Sequence, residues 1–357
     1  MMRGDGMENL YVIAPNEDLS EQLQLMIEAF SRNFDSVIYI REFKDCLCLK
    51  DTKILFVLEL GFTGFDLPML KFFESLKNKG NDIFYGSIAS LLVHSSSELG
   101  TKGATQDIVF MANNLGCSFI GHPLVEATKS LRNFLTWKKT LQIPLKDICT
   151  HLCSNLGKRL LDYKNVSHDK TEKNITVLYS SPHKVSNTLE LWRMASKNLT
   201  NFIINEIQIE NGEILDCKGC SYTLCLHYGK KNRCFYGGFM TENVLPAIEK
   251  ADSIVWLCPN YNDAIAANLT ATINRLTVLY HKTGFHDKST FGVIVSGNSG
   301  SDSVAKQLIG ALNINKGFRL PPYAIITETA NDPNSIFKIE GIENKAKIFA
   351  KHMAEGL

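Results

Sequence analysis

Residues 253–264 read SIVWLCPNYNDA. The first six form a short, almost unbroken apolar run, the pattern of a strand buried on both faces. Pro259 and the asparagines that follow end it with turn chemistry. A helical pattern then runs from about Ala264 to Tyr280. Working outward, similar apolar runs occur at ITVLYS (from Ile175), FIINEIQI (from Phe202), FGVIVS (from Phe291) and YAIIT (from Tyr323). Helical stretches at 187–197, 303–312 and 335–354 separate or follow them. Strands that alternate with helices call for right-handed parallel crossovers and helices on both faces of one sheet. Five such units predict an α/β, doubly wound, five-stranded parallel sheet.

The first half repeats the plan, with candidate strands LYVIA (from Leu10), VIYI (from Val37), ILFVLEL (from Ile54), IASLLVHS (from Ile88) and CSFIGH (from Cys117). Ile54–Leu76 aligns without a gap on Ile254–Leu276, at an offset of 200. Phe65, Met69, Phe73 and Leu76 fall on Ile265, Leu269, Ile273 and Leu276, one helical face in each case. Pro15 pairs with Pro182 at an offset of 167, so the second half gains about 33 residues between its first and third strands. The predicted organisation is two doubly wound sheets in tandem, at residues 7–161 and 174–357. A polar linker at 162–173 joins them, and a cysteine-rich insertion spans 216–234.

The 357 residues carry 38 basic and 37 acidic side chains, a net charge of +1, which supplies no basic stripe for nucleic acid. No run of about 18 apolar residues suggests a membrane span, and the N-terminus carries no secretion signal, so the expected location is cytoplasmic. Ten cysteines in a chain of this length do not make a secreted disulfide scaffold. The sequons at Asn174, Asn198 and Asn268 are accordingly chance matches.

In a doubly wound sheet, ligands bind beyond the carboxyl ends of the strands. Three loops of the second half leave that edge. SSPHKVSNT, from Ser180, offers Ser181, Ser186, Asn187 and Thr188 before a helix, with His183 and Lys184 adding positive charge. Hydroxyls and free amides at a helix N-terminus suit a phosphate, although Ser186 or Asn187 also suits a plain N-cap. The matching loop of the first half carries Glu17 and Asp18, carboxylates that would repel a phosphate. CPNYNDA, from Cys258, presents Tyr261 as an aromatic plane and Asn262 as an amide, suited to the edge of a flat heterocycle or to a simple turn. SGNSGS, from Ser296, is the third loop.

PNYN after an apolar strand resembles the P-x-Y-N loop of NAD(P)H-dependent FMN reductases, which are flavodoxin-like proteins. The SSPHKVSNT loop is similar to their GSxRxxSxN phosphate loop, with Ser180 in place of the glycine and His183 in place of the arginine. SGNSGS resembles their glycine-rich loop beside the flavin ring. The resemblance covers about 175–327; the first half carries none of these motifs, and its LELGFTG replaces PNYN. It implies FMN as cofactor and NAD(P)H as electron donor, with an unidentified acceptor. Ser181, His183, Ser186, Asn187 and Thr188 would hold the phosphate. Pro259, Asn260, Tyr261 and Asn262 would line the ring, with Ser296, Gly297 and Asn298 beside it. It also implies a homodimer.

The segment from Asp216, DCKGCSYTLCLHYGKKNRC, spaces Cys217, Cys220, Cys225 and Cys234 as C-x2-C-x4-C-x8-C. It resembles the cysteine segment of iron–sulfur flavoproteins, with looser spacing. Three readings stay open: metal-free thiols, an iron–sulfur cluster and structural zinc. Cys149, His151 and Cys153 are too close in sequence for an ordinary metal site and suggest helical surface; Trp192 and Trp256 suggest core packing. The expected activity is an FMN-dependent NAD(P)H oxidoreductase. Its rivals are an iron–sulfur flavoprotein electron carrier and an interaction protein that kept the fold without the cofactor.

Overall fold

In a computed structural model the described residues are 8–44, 48–164, 172–180, 185–210, 212–231 and 233–357. The chain divides into two compact units, residues 1–165 and 166–357. Most of the linker expected at 162–173 lies outside the described residues.

The first unit runs β1 (Asn9–Ile13), α1 (Glu21–Ser31), β2 (Ser36–Ile40), β3 (Lys53–Leu60), α2 (Leu67–Ser75), β4 (Ile88–Ser95), α3 (Thr101–Asn114), β5 (Ser118–Ala127), α4 (Leu135–Leu141) and α5 (Leu145–Leu161). Its sheet order is β2-β1-β3-β4-β5, and every recorded pairing is parallel. The central strands β3 and β4 are almost wholly buried, as their unbroken apolar runs require. Phe56 on β3 anchors one face, with Phe73, Phe84 and Phe119 at ring-centroid distances of 5.9, 5.8 and 6.3 Å. On the other face α1 and α5 bury Leu23, Met26, Phe30, Cys149 and Cys153. These cysteines therefore face the core rather than the helical surface expected, and His151 between them is exposed.

The second unit runs β6 (Lys173–Tyr179), α6 (Asn187–Ser196), β7 (Phe202–Gln208), α7 (Tyr222–Gly229), α8 (Leu245–Lys250), β8 (Ser253–Pro259), α9 (Ala267–Arg275), α10 (Thr277–Thr283), β9 (Ser289–Ser296), α11 (Ser301–Leu308), β10 (Ile325–Thr329) and α12 (Ile342–Glu355). Its order, β10-β9-β8-β6-β7, is the same wind as the first sheet, again all parallel. This is the flavodoxin-like 2-1-3-4-5 order. β3 and β8 begin at Lys53 and Ser253, so the offset of 200 survives in three dimensions. Met69, Phe73 and Leu76 are buried, as are Leu269, Ile273 and Leu276; Phe65 is exposed because it precedes α2.

Trp192 and Trp256 are fully buried, as expected. The Trp192 indole donates to Glu206 Oε1 at 2.6 Å, and Phe285 stacks on Phe318 at 4.2 Å. The helical pattern 264–280 is two helices, since the chain changes course at Leu276 between α9 and α10. The stretch 335–354 likewise divides, into a short 3-10 turn at Ser335–Lys338 and α12, separated at Gly341, whose φ is 73°. The extra residues of the second half lie between β7 and β8 and carry α7 and α8. Among the described residues no helix is long and apolar enough to cross a membrane.

Candidate functional site

Parallel strands all end at one edge, and there the loops after β6, β8, β9 and β10 meet around a cavity of about 520 Å3. Ser186 is the N-cap of α6; its backbone is extended and its Oγ accepts the Leu189 amide at 3.4 Å. The amides of Asn187 and Thr188 have no acceptor within the helix and point out of its end. Both residues line the cavity, with Ser186. The Asn187 side chain is turned the other way. Its Nδ2 donates to Ala330 O at 3.0 Å and Asp332 O at 2.9 Å, tying α6 to the loop after β10.

The opposite wall is the loop after β8, where Pro259, Asn260 and Tyr261 line the cavity. Asn262 and Asp263 have φ of 53° and 56°, and the Ala264 amide returns to Tyr261 O at 3.2 Å. Two successive positive φ values make a tight type I′ turn, which asparagine and aspartate tolerate better than most residues. Asn260 Nδ2 donates to Asp263 Oδ1 (3.1 Å), Ser296 Oγ (3.0 Å) and Ser299 O (2.8 Å), so one amide joins this turn to the loop after β9. Gly300 has a φ of 85°, and a Cβ there would run into the Asp263 carboxylate and the Asn260 amide. Gly297 is less constrained: its φ is ordinary, and a Cβ there would meet the Asn331 side chain at 2.9 Å. Tyr261 is partly buried, and burial pushes its phenol above the ordinary range, so the ring is a neutral wall at physiological pH.

Seven of the residues expected at this site thus face one cavity: Ser186, Asn187, Thr188, Pro259, Asn260, Tyr261 and Gly297. Ser296, Asn262 and Asn298 are not among its lining. Ser296 is fully buried and holds Asn260 and Ser301, Asn262 forms the turn, and Asn298 accepts the Ser299 amide at 2.7 Å. Ser181 and His183 lie outside the described residues. The sequence reading missed the loop after β10, whose Ala330, Asn331 and Pro333 close the cavity. Its signal, a Pro-Asn turn after the fifth strand, is present in TANDPN, 329–334. Ser180 Oγ and Asn260 Oδ1 are buried with no hydrogen-bond partner among the described residues, and buried polar atoms ordinarily have one.

The corresponding edge of the first unit is filled from within. Ser20 caps α1, as Ser186 caps α6. Glu59, at the end of β3, accepts the Ser20 amide with Oε2 at 2.9 Å and lies 2.5 Å from His94 Nδ1 through Oε1. Ser20 Oγ is 3.0 Å from the same nitrogen. Arg41 donates to Ala14 O and Asn16 O, closing the β1–α1 loop. The carboxylate at the helix N-terminus is therefore Glu59; Glu17 and Asp18, expected there, are exposed. Burial is the largest influence on Glu59 and opposes its ionisation, but the bonds from His94 and Ser20 outweigh it and hold the carboxyl below its ordinary range.

Among the described residues, no group of three or more His, Cys, Asp or Glu side chains is arranged to hold a metal ion. The ligand set proposed at Cys217, Cys220, Cys225 and Cys234 is therefore not formed. All four thiols are free and line a second cavity. The loose sequence spacing distributes them over an extended segment and α7.

Fold and crevice define a flavodoxin-like domain with a crevice at its switch point. Residues 174–332, within the second unit, match the family model described as NADPH-dependent FMN reductase. Several solved structures are similar to parts of the chain. One is an NAD(P)H:quinone oxidoreductase from Methanothermobacter marburgensis (12% identity, 51% of this chain and 98% of that one, TM-score 0.39). A second is RosB with a bound 8-demethyl-8-formylriboflavin-5'-phosphate intermediate (13%, 52% and 79%, TM-score 0.38). A third is an FMN-dependent NADH-azoreductase from Bacillus anthracis in complex with FMN (11%, 51% and 99%, TM-score 0.37). No curated protein matches the chain.

Two outcomes follow from these geometries. Gly300→Ala should destabilise the second unit by about 1–3 kcal/mol in urea unfolding, because it combines a left-handed backbone with a steric overlap. Asn262→Gly in the same experiment should be neutral or slightly stabilising. Glu59 has a lowered folded-state pKa, so its contribution is present above the ordinary carboxylate range and is lost as pH falls through the lowered value. Glu59→Gln should lower the stability of the first unit by roughly 1–3 kcal/mol at pH 7. The gap from wild type should close below about pH 4, read by thermal melts across pH.

Proposed function

We propose that the second unit binds FMN in the crevice between α6 and the 259–263 turn and uses it to pass hydride equivalents from NAD(P)H to an acceptor. The observation that carries this reading is the crevice itself. A helix N-terminus with outward amides faces a rigid aromatic-amide loop, and among the described residues no charged side chain lines the crevice. The residues present suit the cofactor, since Asn260, on the crevice wall, has a buried Oδ1 with no partner among the described residues.

The α6 amides, with the Ser186 and Thr188 hydroxyls, would receive the phosphate, favoured by the positive end of the helix. The 259–261 loop would lie along the ring system, held in place by the Asn260 bonds before any ligand arrives. Tyr261, neutral, would exclude water from one side without adding charge. When bound, FMN would supply reversible hydride and electron transfer; the protein would supply orientation and a dry wall. Asn187 acts here as a tie between loops, which moves the phosphate role onto its backbone amide.

Ser186→Asp keeps an N-cap acceptor but places a carboxylate at the phosphate position. In spectral titrations it should weaken FMN by at least about tenfold while leaving riboflavin, which lacks the phosphate, unchanged. Equal losses for both flavins, or no uptake by the wild type, would remove the assignment.

A further inference from the structure

The cysteine segment encloses a second cavity, of about 380 Å3, against the C-terminal end of α9 and the start of α10. That is the lower end of the roughly 300–1,000 Å3 usual for small-molecule pockets, room for a two-ring ligand rather than a dinucleotide. Its walls are aromatic: Tyr222, Tyr228, Phe235 and Tyr236 line it, and two of these are more than half exposed, Tyr222 at 66% and Phe235 at 53%. Exposed aromatics gathered around a concavity mark binding surfaces.

Lys218 and Arg275 line the cavity, and among the described residues no carboxylate does. Arg275 is only 3% exposed. Its Nη1 and Nη2 donate to Leu215 O (3.4 Å) and Gly237 O (3.1 Å), and its guanidinium lies 5.9 Å from the Tyr236 ring centroid. Nε is buried with no partner, and among the described residues no carboxylate pairs with this guanidinium. Asp216, the adjacent acid, accepts from Asn274 Nδ2 at 2.8 Å and from the Cys217 amide at 2.6 Å. Lys218 lies over the rings of Phe235 and Tyr236, at 6.0 and 5.9 Å. Burial first, then the neighbouring Cys217, Cys234 and Cys220, push the Cys225 thiol up, so that thiol adds no opposing charge. A buried guanidinium is expensive without a counter-charge, and planar carboxylates are its natural partners.

We propose that this cavity is a binding site for a flat aromatic anion, an aryl carboxylate in class, with Arg275 as its charge partner and the Tyr222–Tyr236 walls as its stacking surface. The site is separate from the flavin crevice and does not depend on that reading.

Equilibrium dialysis of the full-length protein with 2-naphthoate and its neutral analogue 2-naphthamide tests it. One naphthoate should bind per chain, at least about tenfold tighter than the amide, the size expected for a charge-assisted bond. Arg275→Leu should erase that preference. Because Arg275 also holds two loop carbonyls, the exposed Lys218→Glu serves as a second variant: it should weaken naphthoate by about threefold, as a screened surface charge does, and leave naphthamide unchanged. No binding, equal affinity for the two probes, or competitive displacement of naphthoate by FMN would overturn the proposal.

Discussion

Parallel strands cannot be joined by a two-residue turn; each needs a crossover to carry the chain back, so every strand of a sheet ends at the same edge. In this protein that constraint operates twice, in sheets with the same wind. It delivers a helix N-terminus and the loops after the third and fourth strands to one place in each unit. Chemistry at that edge is then decided by a handful of loop residues. In the first unit Glu59 supplies the negative charge that the α1 N-terminus attracts, with His94 beside it. In the second unit a cavity lies at the equivalent edge, and among the described residues its lining is uncharged.

The open crevice is stiff because its own polar side chains are committed to each other. Asn260 links its turn to Ser296 and Ser299, Ser296 reaches Ser301, and Asn187 fastens α6 to the loop after β10. Gln307 on α11 adds a further tie, donating to Asp263 O at 2.8 Å. Preorganisation of this kind lowers what a ligand must order on binding. It also divides the polar residues of these loops into two sets. Asn187, Ser296 and Asn262 build the frame, while Ser186, Thr188 and Tyr261 line the space inside.

The insertion between β7 and β8 adds a second concavity without disturbing the sheet. Its four thiols line that cavity, and Arg275 comes to it from the end of α9, a helix whose other end follows the 259–263 turn.

The sequence by itself determined the strands, their alternation with helices, the duplication at an offset of 200 and the edge at which ligands meet, because apolar periodicity and turn chemistry are local properties. It also located seven of the residues that line the crevice, since loops adjoining predicted strands must share that edge. Tertiary structure decided what each polar side chain does there. Glu59 and His94 lie in adjacent strands 35 residues apart in sequence, and Asn187 meets Ala330 across 143 residues. Hydrogen bonds at such separations depend on strand register and loop course, which no local pattern encodes. The same is true of Arg275, which is buried where the distant insertion packs against it and accepts its bonds at Leu215 O and Gly237 O.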